Sequence, residues 1–342
     1  MTRKHKLAIV LAMLVMAGAV AACGKGAPTP SAASPAAPAA PSSVASSPNA
    51  QQSPLAPSPT GFSGDRAFDF VAKQVAFGPR PPDTDSIRKT QDYIIGQLKG
   101  FGCKVDTDDF HANTPKGRLA MKNILVKIPG ASPSIILLGT HYDTDTLHAN
   151  DDQKMSNFVG ADDAGSSTGV MMEIARVLCG KPSPEIKPAA TVWIAFFDGE
   201  EALQHWSDTD SCYGSRQMAA KLAASGELAR VKAFVLADIV GYKNLHINPE
   251  ANSASWLVDI VWNKAAQLGH SDSFVAEKVG GIEDDHLAFV HRNVPSLDII
   301  GDVWRLYWHT PQDTLDKISP RSLQAVGEVI LASLPEIARR IH

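Results

Sequence analysis

Short apolar runs alternate along the chain with longer stretches in which apolar residues recur at helical spacing. The apolar runs predict buried strands over residues 134–141, 191–197, 233–238 and 296–300, with a hairpin over 104–110 and 123–128. The helical spacing predicts helices over residues 65–77, 85–98, 164–178, 215–224, 256–268 and 320–341, and a loop over 144–158. This alternation predicts an α/β fold, a single domain with a central, mostly parallel mixed β-sheet flanked by helices on both faces.

The run from Thr191 to Phe197 is too short for a free helix and is followed by two adjacent carboxylates, Glu200 and Glu201. Ligands of open α/β sheets bind outside the carboxyl ends of the strands, so chemistry is expected here. Neighbouring carboxylates repel each other, and a cation beside them is one way to keep both ionised. A solvated acidic turn is the simpler alternative for this segment alone.

Polar residues also follow the other predicted strands, or arrive late in the chain. The candidates are His141, Asp163, Asp238 and His309, and two further polar residues, Asp143 and Asp145, follow His141. Carboxylate and imidazole donors without a thiolate are zinc-type ligands. Each of these residues alone would usually be structural, but their repeated position at strand ends predicts a metal site.

The N-terminus has the pattern of an export signal. Residues 3–6 are cationic, residues 7–22 are mainly apolar, and Val20-Ala21-Ala22-Cys23-Gly24 resembles a bacterial lipobox. We predict a signal peptide over residues 1–22 and lipidation of Cys23, which would anchor the exported protein to the cell envelope on its periplasmic or surface side. A plain secretory peptide cleaved nearby is the alternative, and it also implies export.

The segment after the lipobox differs in composition from the rest of the chain. Residues 26–64 contain no charged side chain and are dominated by Pro, Ala and Ser. Such a segment cannot bury enough surface to offset the entropy of ordering it, so residues 23–64 are predicted to be a disordered tether. The folded domain is predicted over residues 65–342, which is long enough for a full core.

Charge and cysteine content narrow the function classes. The formal net charge of −4 gives no electrostatic case for binding nucleic acid. No Cys-x-x-Cys motif is present, which argues against a thiolate zinc site. Cys103, Cys179 and Cys212 permit either one disulfide with one free thiol or no disulfide, and the sequence does not pair them.

The order of the polar motifs resembles a known superfamily. His141-x-Asp143, Ala161-Asp162-Asp163, Glu200-Glu201, Asp238 and His309 are similar to the zinc exopeptidases, the fold of bacterial zinc aminopeptidases. A narrower set resembles the animal glutaminyl-peptide cyclotransferases, which convert N-terminal Gln to pyroglutamate with loss of ammonia. That set comprises Phe-Phe-Asp-Gly-Glu-Glu-Ala at 196–202, Trp206-Ser207, Asp210-Ser211, Tyr-Gly-Ser-Arg at 213–216, Ile-Glu-Asp-Asp-His at 282–286, and Trp308-His309.

The resemblance to the cyclotransferases implies an enzyme that acts on N-terminal glutaminyl peptides or proteins with one Zn²⁺ per chain. We expect it to be a monomer, although no residue pattern determines the oligomeric state. Asp163, Glu201 and His309 would hold the ion and leave its fourth position open to polarise the γ-carbonyl of the substrate Gln. Glu200 would carry a proton from the α-amine to the departing ammonia.

The same resemblance implies the remaining site residues. Asp284 would accept a hydrogen bond from the substrate amide nitrogen, and Asp238 would tie the acidic cluster together. The implied pocket walls are Trp206, Trp304, Trp308 and Ile282.

The chain departs from the animal pattern at two places, and one rival function stays open. Thr140 and Thr168 stand at or near the positions of a cysteine pair, and Asp298 stands where animal enzymes often have His. The rival is a two-zinc aminopeptidase, in which His141, Asp163 and Asp238 bind a second ion and Glu200 activates water. A lipoprotein that only binds peptide or metal would need a broken catalytic acid, whereas Glu200 is intact.

Overall fold

The computed structural model describes residues 55–148, 151–154, 157–180, 188–303 and 306–342. Its strands are β1 (Val105–Thr114), β2 (Gly117–Ile128), β3 (Ser132–His141), β4 (Leu147–His148), β5 (Asp151–Lys154), β6 (Ala190–Phe197), β7 (Val231–Asp238) and β8 (Ser296–Ile300). Its helices are α1 (Gly64–Val75), α2 (Asp85–Gly100), α3 (Gly165–Cys179), α4 (Tyr213–Ser225), α5 (Ser255–Gln267), α6 (Leu287–Val290) and α7 (Pro320–Arg340). Among the helices of these ranges, none has the length and apolar character needed to cross a membrane.

Six strands form one mixed sheet in the order β1-β2-β6-β3-β7-β8. The pairs β6–β3, β3–β7 and β7–β8 are parallel, whereas β1–β2 and β2–β6 are antiparallel. The predicted fold class is therefore confirmed. The carboxyl ends of β3, β6, β7 and β8 lie at one edge, because these four strands run in the same direction.

Both faces of the sheet are covered, because its central strands are apolar on both sides. Ile136 and Leu138 of β3 belong to the core formed with α1, α2, α3, α5 and α7. Their neighbours Ile135 and Leu137 point the other way, into a smaller core formed with α4 and α6. This two-sided burial explains why the strands read as continuous apolar runs rather than as alternating patterns.

The structure differs from the predicted elements mainly where side chains are polar or segments are short. The β1–β2 hairpin extends further than predicted, to a turn at Gly117, where φ is 104°. Its added residues alternate little in polarity, so periodicity did not reveal them. The predicted loop 144–158 contains the short antiparallel pair β4–β5, and the one-turn helix α6 was also not predicted.

Packed structure begins a few residues before the predicted boundary at residue 65. Phe62 is 2 % exposed and lies against α7, where a Cβ at Gly327 would fall 2.2 Å from its ring. The backbone around it is tied down, because the Ser63 amide donates to Glu173 Oε1 at 3.0 Å and Arg176 donates to the Gly61 carbonyl at 2.9 Å. The end of the segment predicted as a tether is thus part of the domain.

The three cysteines within the described residues form one disulfide and leave one free thiol. Cys103, just after α2, is bonded to Cys179 at the end of α3. Cys212 is unpaired and buried at the start of α4. The disulfide fixes the two helices to each other, and it closes a loop across 76 residues.

Candidate active site

The polar residues predicted at the strand ends lie together at the carboxyl edge of the sheet. His141 ends β3, Asp238 ends β7, Glu200 and Glu201 follow β6, and Asp163 precedes α3. They and His309 are all buried, with between 1 % and 7 % of each residue exposed. Because so many ionisable groups are withdrawn from water together, a compensating charge is expected among them.

The three predicted zinc ligands converge on one point. His309 Nε2 lies 3.3 Å from Asp163 Oδ2 and 3.2 Å from Glu201 Oε2. Asp163 Oδ2 and both carboxylate oxygens of Glu201 are buried without a hydrogen-bond partner. Buried acceptors of this kind are costly unless something binds them. Two carboxylates and one imidazole nitrogen therefore fit a zinc ion with an open coordination position.

His309 is oriented by Asp145, one of the polar residues that follow β3. Asp145 Oδ2 lies 3.0 Å from His309 Nδ1, on the side of the ring opposite the candidate ligand atom. A carboxylate on the second nitrogen of a metal-binding histidine fixes its tautomer and raises its basicity. The ring of Trp308 also stacks on His309, with the centroids 4.0 Å apart.

A second group of possible ligands adjoins the first and shares Asp163 with it. His141 Nε2 lies 3.2 Å from Asp163 Oδ1 and 3.2 Å from Asp238 Oδ1. Its other nitrogen, Nδ1, lies 3.4 Å from Asp143 Oδ1. The arrangement therefore has donors for a second divalent ion, bridged by Asp163, as the two-zinc alternative requires.

Glu200 and Glu201 are held through their backbone amides, and their side chains point into different surroundings. Asp143 accepts hydrogen bonds from the amides of Glu200 at 3.1 Å and Glu201 at 3.3 Å. Gly199 makes the turn before them with a φ of 71°, and a Cβ there would lie 2.7 Å from the Met121 sulfur. Glu200 lines a cavity, whereas Glu201 lies behind it against His309.

The loop that carries Asp163 is held by two residues not predicted from the sequence. Asp313 accepts from the backbone amides of Asp162 at 2.8 Å and Asp163 at 3.0 Å. The fully buried Arg80 donates to the carbonyls of Val159 at 2.6 Å and Gly160 at 3.0 Å. Arg80 lies in the Gly-Pro-Arg-Pro-Pro run at 78–82, directly after the predicted helix 65–77.

The cavity beside these groups has a volume of about 330 Å³. Trp206, Ile282 and Trp308 form part of its wall, as the resemblance implied, whereas Trp304 lies outside the described residues. The full lining comprises Asp163, Glu200, Trp206, Asp238, Gly281, Ile282, Glu283, Asp284, Ile300, Trp308 and His309. Gly281, Glu283 and Ile300 are lining residues that the sequence did not predict.

Burial dominates the electrostatics of the cavity. Burial raises the pKa of Glu200 and the pKa of Glu201 well above their ordinary values. The charge of His141 opposes the rise at Glu200, and the charge of His309 opposes it at Glu201. Burial likewise raises the pKa of Asp238 to about 6, against the charge of His141. At Asp163 burial is outweighed, because the neighbouring imidazoles of His141 and His309 lower its pKa. The excess of buried carboxylates fits a bound divalent cation.

Asp284 lines the cavity and belongs to a further buried cluster, formed with His286 and Asp298. Burial, aided by the charge of Asp238, raises the pKa of Asp284 to about 7. Ligand atoms of Asp284, His286 and Asp298 all lie within 4.8 Å of one another. His286 Nε2 is 3.4 Å from Glu250 Oε1, and its Nδ1 is 3.7 Å from Asp298 Oδ2. Asp298 therefore faces an imidazole in this structure.

Comparisons with known proteins agree with this geometry. Residues 123–334 match the model of peptidase family M28. The structure of a glutaminyl cyclase from an Acidobacteriales bacterium is 38% identical, with a TM-score of 0.75 over 86% of this chain and 100% of that chain. The glutaminyl-peptide cyclotransferase of Drosophila melanogaster is 29% identical over 70% of this chain and 72% of its own length. A Zn-dependent exopeptidase from Parabacteroides distasonis is 30% identical, with a TM-score of 0.72 over 80% of this chain and 98% of that chain.

Proposed function

Because the chain belongs to peptidase family M28, we propose that it is a glutaminyl-peptide cyclotransferase, which converts the N-terminal Gln of peptides to pyroglutamate and releases ammonia. The observation that carries this proposal is the cavity of about 330 Å³ beside the candidate metal ligands. Trp206, Ile282 and Trp308 give it apolar walls, and Glu200 and Asp284 give it two carboxylates. A cavity of this size suits one Gln residue whose side chain folds back on its own amine.

One zinc ion per chain is proposed, held by Asp163, Glu201 and His309. The unpartnered oxygens of the two carboxylates and the nearby His309 Nε2 support this assignment. When bound, zinc supplies a Lewis acid that polarises the γ-carbonyl of the substrate Gln. Asp145 keeps His309 in the tautomer whose Nε2 is free to bind metal.

Glu200 is proposed to move the proton. It lines the cavity, and burial raises its pKa toward the range in which a carboxyl group can both accept and return a proton. It would take a proton from the α-amine as that amine attacks the side-chain carbonyl, and would give it to the leaving ammonia. No outside nucleophile is needed, because the amine and the carbonyl belong to the same residue.

The remaining cavity residues are proposed to position the substrate. Asp284 would accept a hydrogen bond from the substrate amide nitrogen, and Asp238 holds His141 at 3.2 Å within the acidic cluster. The tryptophan and isoleucine walls exclude water and restrict the Gln side chain to a bent conformation. Fixing two reacting groups in this way removes much of the entropic cost of ring closure.

A two-zinc aminopeptidase is the second candidate, and one observation favours it. His141, Asp163 and Asp238 meet with nitrogen–oxygen distances of 3.2 Å, which provides donors for a second ion. In that case Glu200 would activate water rather than carry the proton of an amine. The Trp206 and Asp284 positions, which resemble those of the cyclotransferases, favour cyclisation.

The location and assembly of the protein are further parts of the proposal. The pattern of residues 1–24 supports export and lipidation at Cys23, and the Pro/Ala/Ser-rich residues between Cys23 and the packed Phe62 would tether the domain to the cell envelope. These segments lie outside the described residues, apart from residues 55–64. We propose that the domain acts as a monomer on exported peptides or proteins.

The proposed function is tested with the purified chain, one equivalent of zinc and the dipeptide amide Gln-Ala. We expect ammonia release together with a pyroglutamyl product that has lost one ammonia by mass spectrometry. Leu-Ala, which cannot cyclise, serves as the control. Release of free amino acids from both dipeptides, without a pyroglutamyl product, would establish the aminopeptidase instead.

A further inference from the structure

A second cavity adjoins the catalytic one and has no role in the chemistry described above. Its volume is about 260 Å³, and it shares three lining residues, Gly281, Ile282 and Ile300, with the first cavity. A peptide whose N-terminal residue fills the catalytic cavity must lead its next residues out past some part of the rim. The shared wall places the second cavity directly beside the site of the N-terminal residue.

Hydrogen bonds hold the wall between the two cavities in place. The amide of Val279 donates to the Pro249 carbonyl at 3.1 Å, and the amide of Ala251 donates to the Gly280 carbonyl at 3.4 Å. The amide of Ile282 points to Glu250 Oε2 at 3.4 Å. Residues 279–282 are therefore supported along their length by residues 249–251, which gives the second cavity a defined shape.

The chemistry of the second cavity is apolar inside and acidic at its rim. Val279, Ile282 and the buried Ile300 supply aliphatic surface, whereas Asp302 is exposed. Asn248 contributes little polarity, because its side-chain amide donates to the Glu277 carbonyl at 2.9 Å. An occupant that matches this surface has a long apolar stem and a cationic end, as a lysine side chain does.

We propose that this cavity binds the side chain of the second residue of the substrate and favours peptides in which Gln is followed by a long cationic residue. The inference rests on the proposed function, since it takes N-terminal Gln to occupy the first cavity. The stem packs on Val279 and Ile282, and the ammonium group reaches the carboxylate of Asp302. Glu283, exposed at the mouth of the catalytic cavity, adds negative charge that disfavours an acidic second residue.

The test compares kcat/KM for the amides Gln-Ala, Gln-norleucine, Gln-Lys and Gln-Glu. Norleucine has an unbranched apolar stem without the ammonium group, so the Lys-to-norleucine ratio isolates the charge. We expect that ratio to be about two- to fivefold, the size of an exposed ion pair, and Gln-Glu to be the poorest substrate. Equal values for all four amides, or a preference for Gln-Glu, would overturn the proposal.

Two variants and one control test which residues of the second cavity cause the preference. Asp302→Asn should bring the Lys-to-norleucine ratio close to one, whereas Asp92→Asn, which removes the same charge from an exposed position on α2, should leave that ratio unchanged. Val279→Ser should lower kcat/KM for both long-stemmed amides relative to Gln-Ala, and its melting temperature checks that it folds. A ratio that survives Asp302→Asn would exclude this cavity as its source.

Binding separates this proposal from the proposed function. The same four amides are titrated into the Glu200→Gln variant, which retains the cavities and lacks the proton carrier. If no amide is cyclised by the unaltered protein but the affinities keep the order Lys, norleucine, Ala, Glu, then the proposed function fails and the subsite stands. Equal affinities would remove the subsite whether or not cyclisation occurs.

Discussion

Glu200 and Glu201 are adjacent in sequence but serve different surroundings, since Glu200 lines the cavity and Glu201 Oε2 lies 3.2 Å from His309 Nε2. The turn at Gly199 and the two backbone hydrogen bonds to Asp143 fix this division. It separates the proposed proton carrier from the proposed metal ligand by one peptide bond.

The first prediction concerns this pair of residues. Glu200→Gln should lower kcat for Gln-Ala by about 10²- to 10⁴-fold, because the amide cannot carry the proton, while zinc stays bound. Glu201→Gln should lose zinc, because it removes a charged ligand. Metal analysis of the two dialysed variants beside the ammonia assay checks both. A metal-free Glu200→Gln variant would show that the two roles are exchanged.

The second prediction is that a single zinc ion suffices for cyclisation. Removal of metal with a chelator should abolish ammonia release, and the first equivalent of zinc added back should restore it fully. Calorimetric titration, run beside the activity assay, measures the number of ions bound. Activity that continues to rise up to a second equivalent would favour the shared site at His141, Asp163 and Asp238.

The third prediction concerns Asp145, which lies 3.0 Å from His309 Nδ1. Asp145→Ala should weaken zinc binding by about 10- to 100-fold, since the histidine loses the group that orients it. Asp145→Asn retains an acceptor oxygen and should weaken binding less. Competition with a fluorescent chelator measures both affinities. Equal zinc affinity in all three proteins would show that Asp145 does not tune the ligand.

The fourth prediction concerns the loop that carries Trp206. Asp210 accepts hydrogen bonds from the amides of Leu203 at 3.1 Å, Gln204 at 2.8 Å and His205 at 2.9 Å, and from the Tyr213 hydroxyl at 2.7 Å. Without this carboxylate the loop loses its anchor, and the tryptophan wall loses its fixed position.

Asp210→Ala should therefore raise KM for Gln-Ala several-fold more than it lowers kcat, because substrate placement suffers before proton transfer does. Asp208→Ala is the matched control, since it removes an exposed carboxylate from the same loop. Steady-state kinetics on the three proteins separates the two constants. A fall in kcat with KM unchanged would assign Asp210 a part in the chemical step instead.

The fifth prediction concerns the disulfide between Cys103 and Cys179. Replacing both cysteines with serine should lower the free energy of unfolding by about 2 to 4 kcal/mol, because the bond closes a long loop in the unfolded chain. Urea unfolding of both proteins measures the loss, and reduction of the unaltered protein should reproduce it. The kcat/KM of the folded variant should change little, since neither cysteine lines the catalytic cavity. An unchanged free energy of unfolding would contradict the structural role.

The sequence predicted those features that depend on residues close together in the chain. The apolar run of β6 and the carboxylates behind it predicted both a buried strand and the edge where chemistry lies. Arg80 could not be recognised in the same way, because its role depends on Tyr142, Val159 and Gly160 meeting around it in the folded chain.

Residues that hold others in place were the hardest to foresee. Asp313 acts on backbone amides about 150 positions earlier in the chain, and no spacing rule connects them. The cysteine pairing was also undetermined, since it required knowing that the ends of α2 and α3 meet. The proposed assignment of Asp163, Glu201 and His309 as metal ligands was accessible only through resemblance to a family.

The packing of Phe62 against Gly327 determines where a recombinant form of the domain should begin. A recombinant fragment starting at residue 65 would leave a ring-sized hollow along α7, at a cost of about 3 to 5 kcal/mol, and would remove the Ser63 amide from Glu173, which keeps only its arginine partners. The uncovered aliphatic surface would invite self-association that has nothing to do with the native protein. Expression should therefore begin upstream of Thr60, so that Phe62 and the residues beside it keep α7 covered.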